Sequence, residues 1–124
     1  MKKKKLVIFG SGEIAQLAHF YFSNDSDYEV VAFTVNASFI RDDKFCRLPV
    51  VAFEDVTIQY PPEEYEIFIA LSYSKLNVVR KEKYLAAKLL GYRFASFVSS
   101  SATVMNEGKI GENCFIFEDN TIQP

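Results

Sequence analysis

Residues 98–122 read VSSSATVMNEGKIGENCFIFEDNTI, and in this stretch Val98, Val104, Ile110, Ile116 and Ile122 fall six residues apart. An amphipathic helix repeats its apolar positions at three and four, a half-buried strand at two. One aliphatic in every six residues instead predicts hexapeptide repeats, each forming one flat face of a triangular parallel β-helix. Four residues after the central aliphatics come Gly108, Cys114 and Asn120, small or turn-tolerant residues suited to a corner. Ile110-Gly111-Glu112-Asn113-Cys114-Phe115 is one full repeat. The competing reading is a pair of half-buried strands whose spacing is accidental. The pattern is still running at Ile122-Gln123-Pro124, so the stretch is expected to be the start of a longer coil, cut short.

Working outward, 124 residues suffice for one domain with a genuine core. An apolar share of 49% with 24% charged residues is ordinary for a globular protein. A formal net charge of −2 leaves no basic footprint for nucleic acid. Lys2 to Lys5 is the one charge cluster and directly precedes an apolar run, so it is expected to be a solvated lead-in. No apolar run is long enough to span a membrane, and Leu6 to Phe9 is too short for the core of a signal peptide. Cys46 and Cys114 have no metal-like spacing, which fits two reduced thiols in a cytoplasmic protein.

The first hundred residues alternate between strand and helix signals. Leu6-Val7-Ile8-Phe9 is a continuous apolar run of the kind buried on both faces of a parallel sheet. Glu13 to Phe22 carries a helical stripe, and Tyr28 to Val35 a second strand. Leu48 to Val51 predicts a third strand, placed at an edge by Pro49. Glu54 to Tyr60 predicts a short helix, Glu66 to Leu71 a strand, Leu76 to Leu90 a helix stopped by Gly91, and Tyr92 to Val98 a fifth strand. This order implies an α/β fold with a parallel, Rossmann-like sheet over 1–97, followed by the first repeats of a left-handed β-helix over 98–124. Ser99-Ser100-Ser101 is the one hinge candidate.

Gly10-Ser11-Gly12-Glu13-Ile14-Ala15 matches G-x-G-x-x-A between a strand and a helix. Gly10 permits a tight turn, Gly12 lets a phosphate approach the backbone, and Ala15 allows close helix–strand packing. A new helix N-terminus adds free N–H groups and partial positive charge. The alternative is a tight turn with no ligand, and the Glu13 carboxylate would repel a nearby phosphate. A dinucleotide site calls for an Asp or Glu at the end of the second strand, where this sequence has Asn36. Asn36 can hydrogen-bond a sugar or base, but its presence weighs against a nicotinamide dehydrogenase. Ser72, Tyr73, Lys75, Asn77 and Arg80 follow the fourth predicted strand and would face the glycine turn across the crevice. Arg80 could neutralise a phosphate; a solvated helix surface is the plain alternative for Arg80 and Lys75. His19, the single histidine, lies among Leu17, Ala18, Phe20 and Tyr21 without a partnering group, so a packing or surface histidine is expected.

An α/β block running into hexapeptide repeats resembles the bacterial sugar O-acyltransferases of the sialic acid O-acetyltransferase type, which include enzymes acetylating nucleotide-linked amino sugars for surface polysaccharides. The resemblance is carried by Lys5 to Gly12, by Ile69 to Tyr73 with Asn77 and Arg80, and by Ser101 to Ile116. It implies transfer of an acetyl group from acetyl-CoA to an amine or hydroxyl of a sugar, in a homotrimer. It also implies that the N-terminal domain holds the nucleotide sugar, UDP-linked, through Gly10, Ser11, Gly12, Asn36, Ser72, Tyr73, Asn77 and Arg80. In the family a histidine on later coils is the general base and stacked coils hold the CoA. No residue after Cys114 matches that histidine, and 98–124 supplies about one and a half turns at three repeats per turn.

The sequence therefore reads as the N-terminal, nucleotide-sugar-binding part of an acetyl-CoA-dependent sugar acetyltransferase, with no catalytic residue, no metal ligand and no CoA site of its own. Two alternatives stand beside it: a ligand-binding or assembly module without catalysis, and an NAD-binding Rossmann fragment. An unfinished coil is further expected to leave Phe115, Ile116, Phe117 and Ile122 without a covering rung, causing self-association or disorder there.

Overall fold

With no polar side chain to turn toward water, Leu6-Val7-Ile8-Phe9 must be covered on both sides, and it forms the centre of the sheet. The computed structural model describes residues 4–71, 77–98, 115–117 and 120–122. Strand β1 (Lys4–Phe9) lies between β2 (Tyr28–Val35) and β5 (Glu66–Ile69), parallel to both. Strand β4 (Leu48–Ala52) adds parallel to β2, and β6 (Arg93–Phe94) parallel to β5. A short β3 (Lys44–Phe45) closes one edge antiparallel to β4, giving the order β3-β4-β2-β1-β5-β6. The fold is thus mixed α/β, with a six-stranded, mostly parallel sheet.

Alternation along β1 splits the core in two. Leu6 and Ile8 join Phe22, Phe33, Phe68 and the alanines 15 and 18 of helix α1 (Glu13–Asn24) on one face. Val7 and Phe9 join Phe53, Val56, Ile67, Ile69 and Tyr92 on the other, with Ala87 of helix α3 (Asn77–Leu89). Small alanines let the α1 backbone approach the sheet, and the large aromatics fill the remaining space. Phe22, Phe33 and Phe68 are fully buried or nearly so, and truncating any of them to alanine would cost about 3–5 kcal/mol. His19 packs on this first face, its ring centroid 5.7 Å from that of Phe33. Burial lowers its pKa.

Several sequence expectations change. The strand containing Pro49 is one position in from the edge, because β3 pairs outside it. Val50 donates to the Asp43 carbonyl at 2.9 Å, so Pro49 falls at the intervening, non-bonded position where β3 demands no N–H from it. The predicted helix from Glu54 to Tyr60 is a 3₁₀ turn over Phe53–Asp55 followed by α2 (Val56–Gln59). Helix α3 does end at Gly91, whose φ of +98° suits a glycine and reverses the chain.

The expected strand from Tyr92 to Val98 is two strands in two sheets. Ala95 donates to Ile67 at 3.0 Å beside β6, after which β7 (Phe97–Val98) joins a separate three-stranded sheet. There β7 is parallel to β8 (Phe115–Phe117), with Phe97 opposite Phe115 and Val98 opposite Ile116. The partners are 18 residues apart, three six-residue repeats. β9 (Asn120–Ile122) turns back antiparallel on β8, so Ile122 lies on a hairpin strand and not on a further parallel rung. Two intervening residues permit that reversal, and it satisfies the ladder groups on the second edge of β8. Residues 99–114, with Val104 and Ile110, lie outside the described residues.

Candidate functional site

Strand order reverses at β1: the chain proceeds to β2 and β4 on one side, then crosses to β5 and β6 on the other. In open α/β sheets the carboxyl ends of strands beside such a reversal form the usual ligand crevice. Gly10, Ser11 and Gly12 occupy the end of β1 at that point.

The two glycines serve different needs. Gly10 has φ +130°, and a β-carbon there would come within 2.7 Å of the Ala70 carbonyl oxygen and 3.4 Å of the Ala15 β-carbon. Its N–H donates to Thr34 at 2.9 Å, while Ala70 donates to Phe9 at 2.8 Å, so the turn is sewn to both neighbouring strands. Packing alone accounts for this glycine. Gly12 is different: apart from its chain neighbours, no atom of the described residues lies within 4 Å of the place its β-carbon would take. It is the N-cap of α1, and no side chain caps the helix. The first-turn N–H groups are therefore left for solvent or a ligand. Ser11 and Gly12 are exposed, as is Glu13 in the first turn.

Asn36, at the end of β2, is half-buried and engaged. Its Nδ2 donates to Oε2 of Glu54 at 3.3 Å, and the Ala37 N–H donates to Oε1 at 2.9 Å. Sequence reasoning found no carboxylate at the end of the second strand; the structure brings one there from the end of β4. The Ala37 N–H, then Glu54's own backbone N–H and the Asn36 amide, hold the Glu54 carboxyl below its ordinary pKa, with a smaller contribution from Lys83. Lys83 of α3 also lies over the Phe9 ring, 6.0 Å from its centroid. A signal for Lys83 was present in the sequence, since it continues the three-residue step from Asn77 to Arg80. No local signal marks Glu54.

Asn77 is the first residue of α3 and Arg80 lies one turn on, which puts the start of that helix after the carboxyl end of β5. Ser72, Tyr73 and Lys75 lie outside the described residues.

A cavity of about 200 Å³ shares Ser11 with the glycine turn; Val35, Phe39, Phe45, Arg41 and Lys44 are among its other walls. A larger hollow of about 560 Å³ lies at the opposite, amino ends of the strands. Lys4, Lys5 and Arg93 line it with Glu29, Glu64 and Glu66, so its charges compensate one another and no glycine turn opens onto it. The smaller cavity is the better candidate, because it adjoins free backbone donors and carries two cations against the single Asp42. Among the described residues no group of His, Cys, Asp and Glu could hold a metal ion, and no helix is long and apolar enough to cross a membrane.

No protein-family model matches the chain, and no curated protein matches it. Solved structures do resemble it. The acetyltransferase domain of PglB from Neisseria gonorrhoeae FA1090, in complex with acetyl coenzyme A, superposes with a TM-score of 0.74 at 20% identity, over 94% of this chain and 54% of that one. PerB from Caulobacter crescentus, in complex with CoA and GDP-perosamine, gives 0.73 at 19% identity over 92% of this chain and 51% of that one. RSP, a Rex-family repressor, gives 0.55 at 14% identity over 94% and 52%. The chain spans about half the length of these structures. At such identities the likeness is one of fold alone.

Proposed function

We propose that this chain is the nucleotide-sugar-binding part of an acetyl-CoA-dependent sugar acetyltransferase. In this reading residues 1–97 are a Rossmann-like domain and 98–124 begin a left-handed β-helix of hexapeptide repeats. The carrying observation is the glycine turn at the strand-order reversal, where Gly10 is explained by packing on Ala70 and Gly12 is not. A diphosphate placed against Ser11 and Gly12 supplies the missing reason for that glycine. In this reading Asn36, Ser72, Tyr73, Asn77 and Arg80 are the further ligands of the nucleotide sugar. The 18-residue offset between β7 and β8 supports the repeat reading, since three hexapeptides complete one turn.

Likeness of fold to PglB and PerB favours a transferase over other users of an α/β sheet. The PerB structure holds GDP-perosamine, so a guanosine-linked sugar stands beside the UDP-linked one expected from the sequence. Acetyl-CoA belongs to the whole enzyme, a homotrimer in the cytoplasm making surface polysaccharide; no residue of this chain is assigned to it. The Glu54 carboxylate beside Asn36 gives one observation in favour of the NAD-binding alternative, because it restores an acid near the end of β2. Thermal-shift measurement with UDP-sugars, GDP-sugars and NAD decides between the two. Stabilisation by a nucleotide sugar is expected; stabilisation by NAD alone would overturn the proposal.

A further inference from the structure

We propose that the cavity beside Ser11 receives a guanine base: Arg41 and Lys44 donate to its O6 and N7 edge, Asp42 accepts from its N1–H and N2–H groups, and Phe39 stacks on the ring. The proposal rests on the nucleotide-sugar reading above and narrows it to guanosine-linked sugars.

The position follows from the topology. Ser11 belongs to the glycine turn, Val35 is the last residue of β2, and both line the cavity. In a sheet of this kind, a nucleotide with its phosphates on the turn after β1 carries its nucleoside toward the end of β2. The cavity, at about 200 Å³, is smaller than the roughly 300–1,000 Å³ of sites that enclose a whole small molecule. It therefore takes one part of the nucleotide, and on this side of the turn that part is the base.

The apolar walls are fixed in place. Phe45 of β3 meets the fully buried Phe33 edge-on, with ring centroids 4.8 Å apart. The Phe39 N–H donates to the Asn36 carbonyl at 2.8 Å, and the Ala37 N–H donates to Glu54 at 2.9 Å. The turn carrying Phe39 is thus tied to the segments that follow β2 and β4, and Glu54 serves as its cap. Phe39 itself is 70% exposed, a large ring held open at the cavity wall. Beside a nucleotide site such an open aromatic face is a stacking platform.

The charges select the base. Arg41, Asp42 and Lys44 line the same cavity, and among the described residues none of these side chains has a hydrogen-bond or ion-pair partner. Arginine and lysine can only donate, and an ionised aspartate can only accept. Guanine presents two adjacent acceptors, O6 and N7, on one edge and two adjacent donors, N1–H and N2–H, on the next. Adenine carries an amino donor in place of O6, which a cation repels. Uracil offers a single N3–H between two carbonyls, which a carboxylate repels. Two cations with one carboxylate therefore match guanine on both edges and each of the other bases on one at most.

Calorimetric titration of the chain with GDP, UDP, ADP and xanthosine diphosphate tests the proposal. GDP is expected to bind at least about tenfold tighter than UDP or ADP, the cost of one lost hydrogen bond to a charged group. Xanthine has a carbonyl where guanine has its 2-amino group. Asp42→Asn is therefore expected to weaken GDP about tenfold and to bind xanthosine diphosphate more tightly than the native chain does. That exchange reports contact with the base, which a change in the fold would not produce. Phe39→Ala is expected to weaken every one of these nucleotides about tenfold, because stacking tolerates any base. Asp42 and Phe39 are exposed, so both variants should fold as the native chain does. UDP or ADP bound as tightly as GDP, a GDP preference unchanged in Asp42→Asn, or binding unchanged in Phe39→Ala would overturn the proposal and leave the nucleotide-sugar reading standing. If the native chain binds none of these nucleotides, that reading falls with it.

Discussion

The carbonyl oxygen of Ala70 lies 2.7 Å from the point that a β-carbon on residue 10 would occupy, so the end of β5 can approach the β1–α1 turn only because residue 10 is glycine. With φ at +130°, backbone strain adds to the clash. Gly10→Ala is expected to destabilise the chain by about 3 kcal/mol or more, or to prevent folding. Gly12→Ala meets no described atom beyond its chain neighbours and costs no more than about 1 kcal/mol as a weaker N-cap; under the proposed function it should weaken nucleotide binding about tenfold, because the added methyl group holds a phosphate off the backbone donors. Chemical denaturation with calorimetric titration tests the contrast. Equal loss of stability in both variants would refute it.

Tyr92 is buried and its hydroxyl donates to the Tyr60 carbonyl. Burial, then the nearby Glu63 carboxylate, pushes its pKa up to about 12. A phenol that holds its proton more tightly in the folded state stabilises the fold below the unfolded pKa near 10 and loses that contribution as pH rises through about 12. Denaturation at pH 8 and pH 11 is expected to show lower stability at the higher value. Tyr92→Phe should cost about 1 kcal/mol at neutral pH, leaving the Tyr60 carbonyl without this donor, and should reduce the alkaline loss. Tyr28, raised by burial and its 2.8 Å hydrogen bond to Glu66, adds a parallel contribution of the same sign. An alkaline slope that Tyr92→Phe leaves unchanged would contradict this assignment.

Glu54 offers a readout independent of ligand. Its carboxyl is expected to titrate below the ordinary glutamate range in a side-chain NMR titration, because the Ala37 N–H favours the charged form. The linked stability is present above the ordinary carboxyl pKa and is lost as pH falls through the lowered one. Ala37→Pro should return the titration toward the ordinary range. An unperturbed Glu54 in the native chain would mean that the carboxylate is not held.

Cys46 and Arg47 join β3 to β4 with φ of +50° and +67°, the sign pattern of a type I′ hairpin. Side chains other than Gly, Asn and Asp are strained there. Arg47 is exposed, so Arg47→Gly relieves strain without disturbing the core. After the entropy that glycine gains in the unfolded chain, a net stabilisation of up to about 1 kcal/mol is expected in urea denaturation. Destabilisation would show that Arg47 contributes contacts outweighing its backbone strain.

The same hairpin shows where reading the sequence stops short. β1, its glycine turn and α1 were legible, because a continuous apolar run, a G-x-G and a helical stripe are all local signals. β3 was not, since Lys44-Phe45-Cys46-Arg47 carries none of the Asn-Gly or Gly-Gly chemistry that announces a tight hairpin. Its presence moved Pro49 away from the edge. Tyr92 to Val98 looked like one strand because its composition is uniform, although hydrogen bonding passes from one sheet to another between Phe94 and Phe97. Gly10 and Asn36 lie at the carboxyl ends of the neighbouring strands β1 and β2. Glu54 joins them through strand pairing alone, 18 residues further along the chain, which no periodicity could reveal.

The smaller sheet allows a test of the repeat reading that needs no ligand. β8 is its middle strand, parallel to β7 on one side and antiparallel to β9 on the other. A proline within a middle strand removes a ladder donor and is poorly tolerated. Ile116→Pro is therefore expected to abolish slow hydrogen exchange at residues 97–98 and 120–122 together. Protection over Leu6–Phe9 and Glu66–Ile69 should persist, because those strands are paired within the other sheet. Simultaneous loss at 97–98 and 120–122 would tie the two segments to residue 116 through one backbone ladder, with its 18-residue parallel step. Protection of 97–98 unchanged in the variant would show that β7 is held by something other than β8, and the three-repeat turn would lose its structural support.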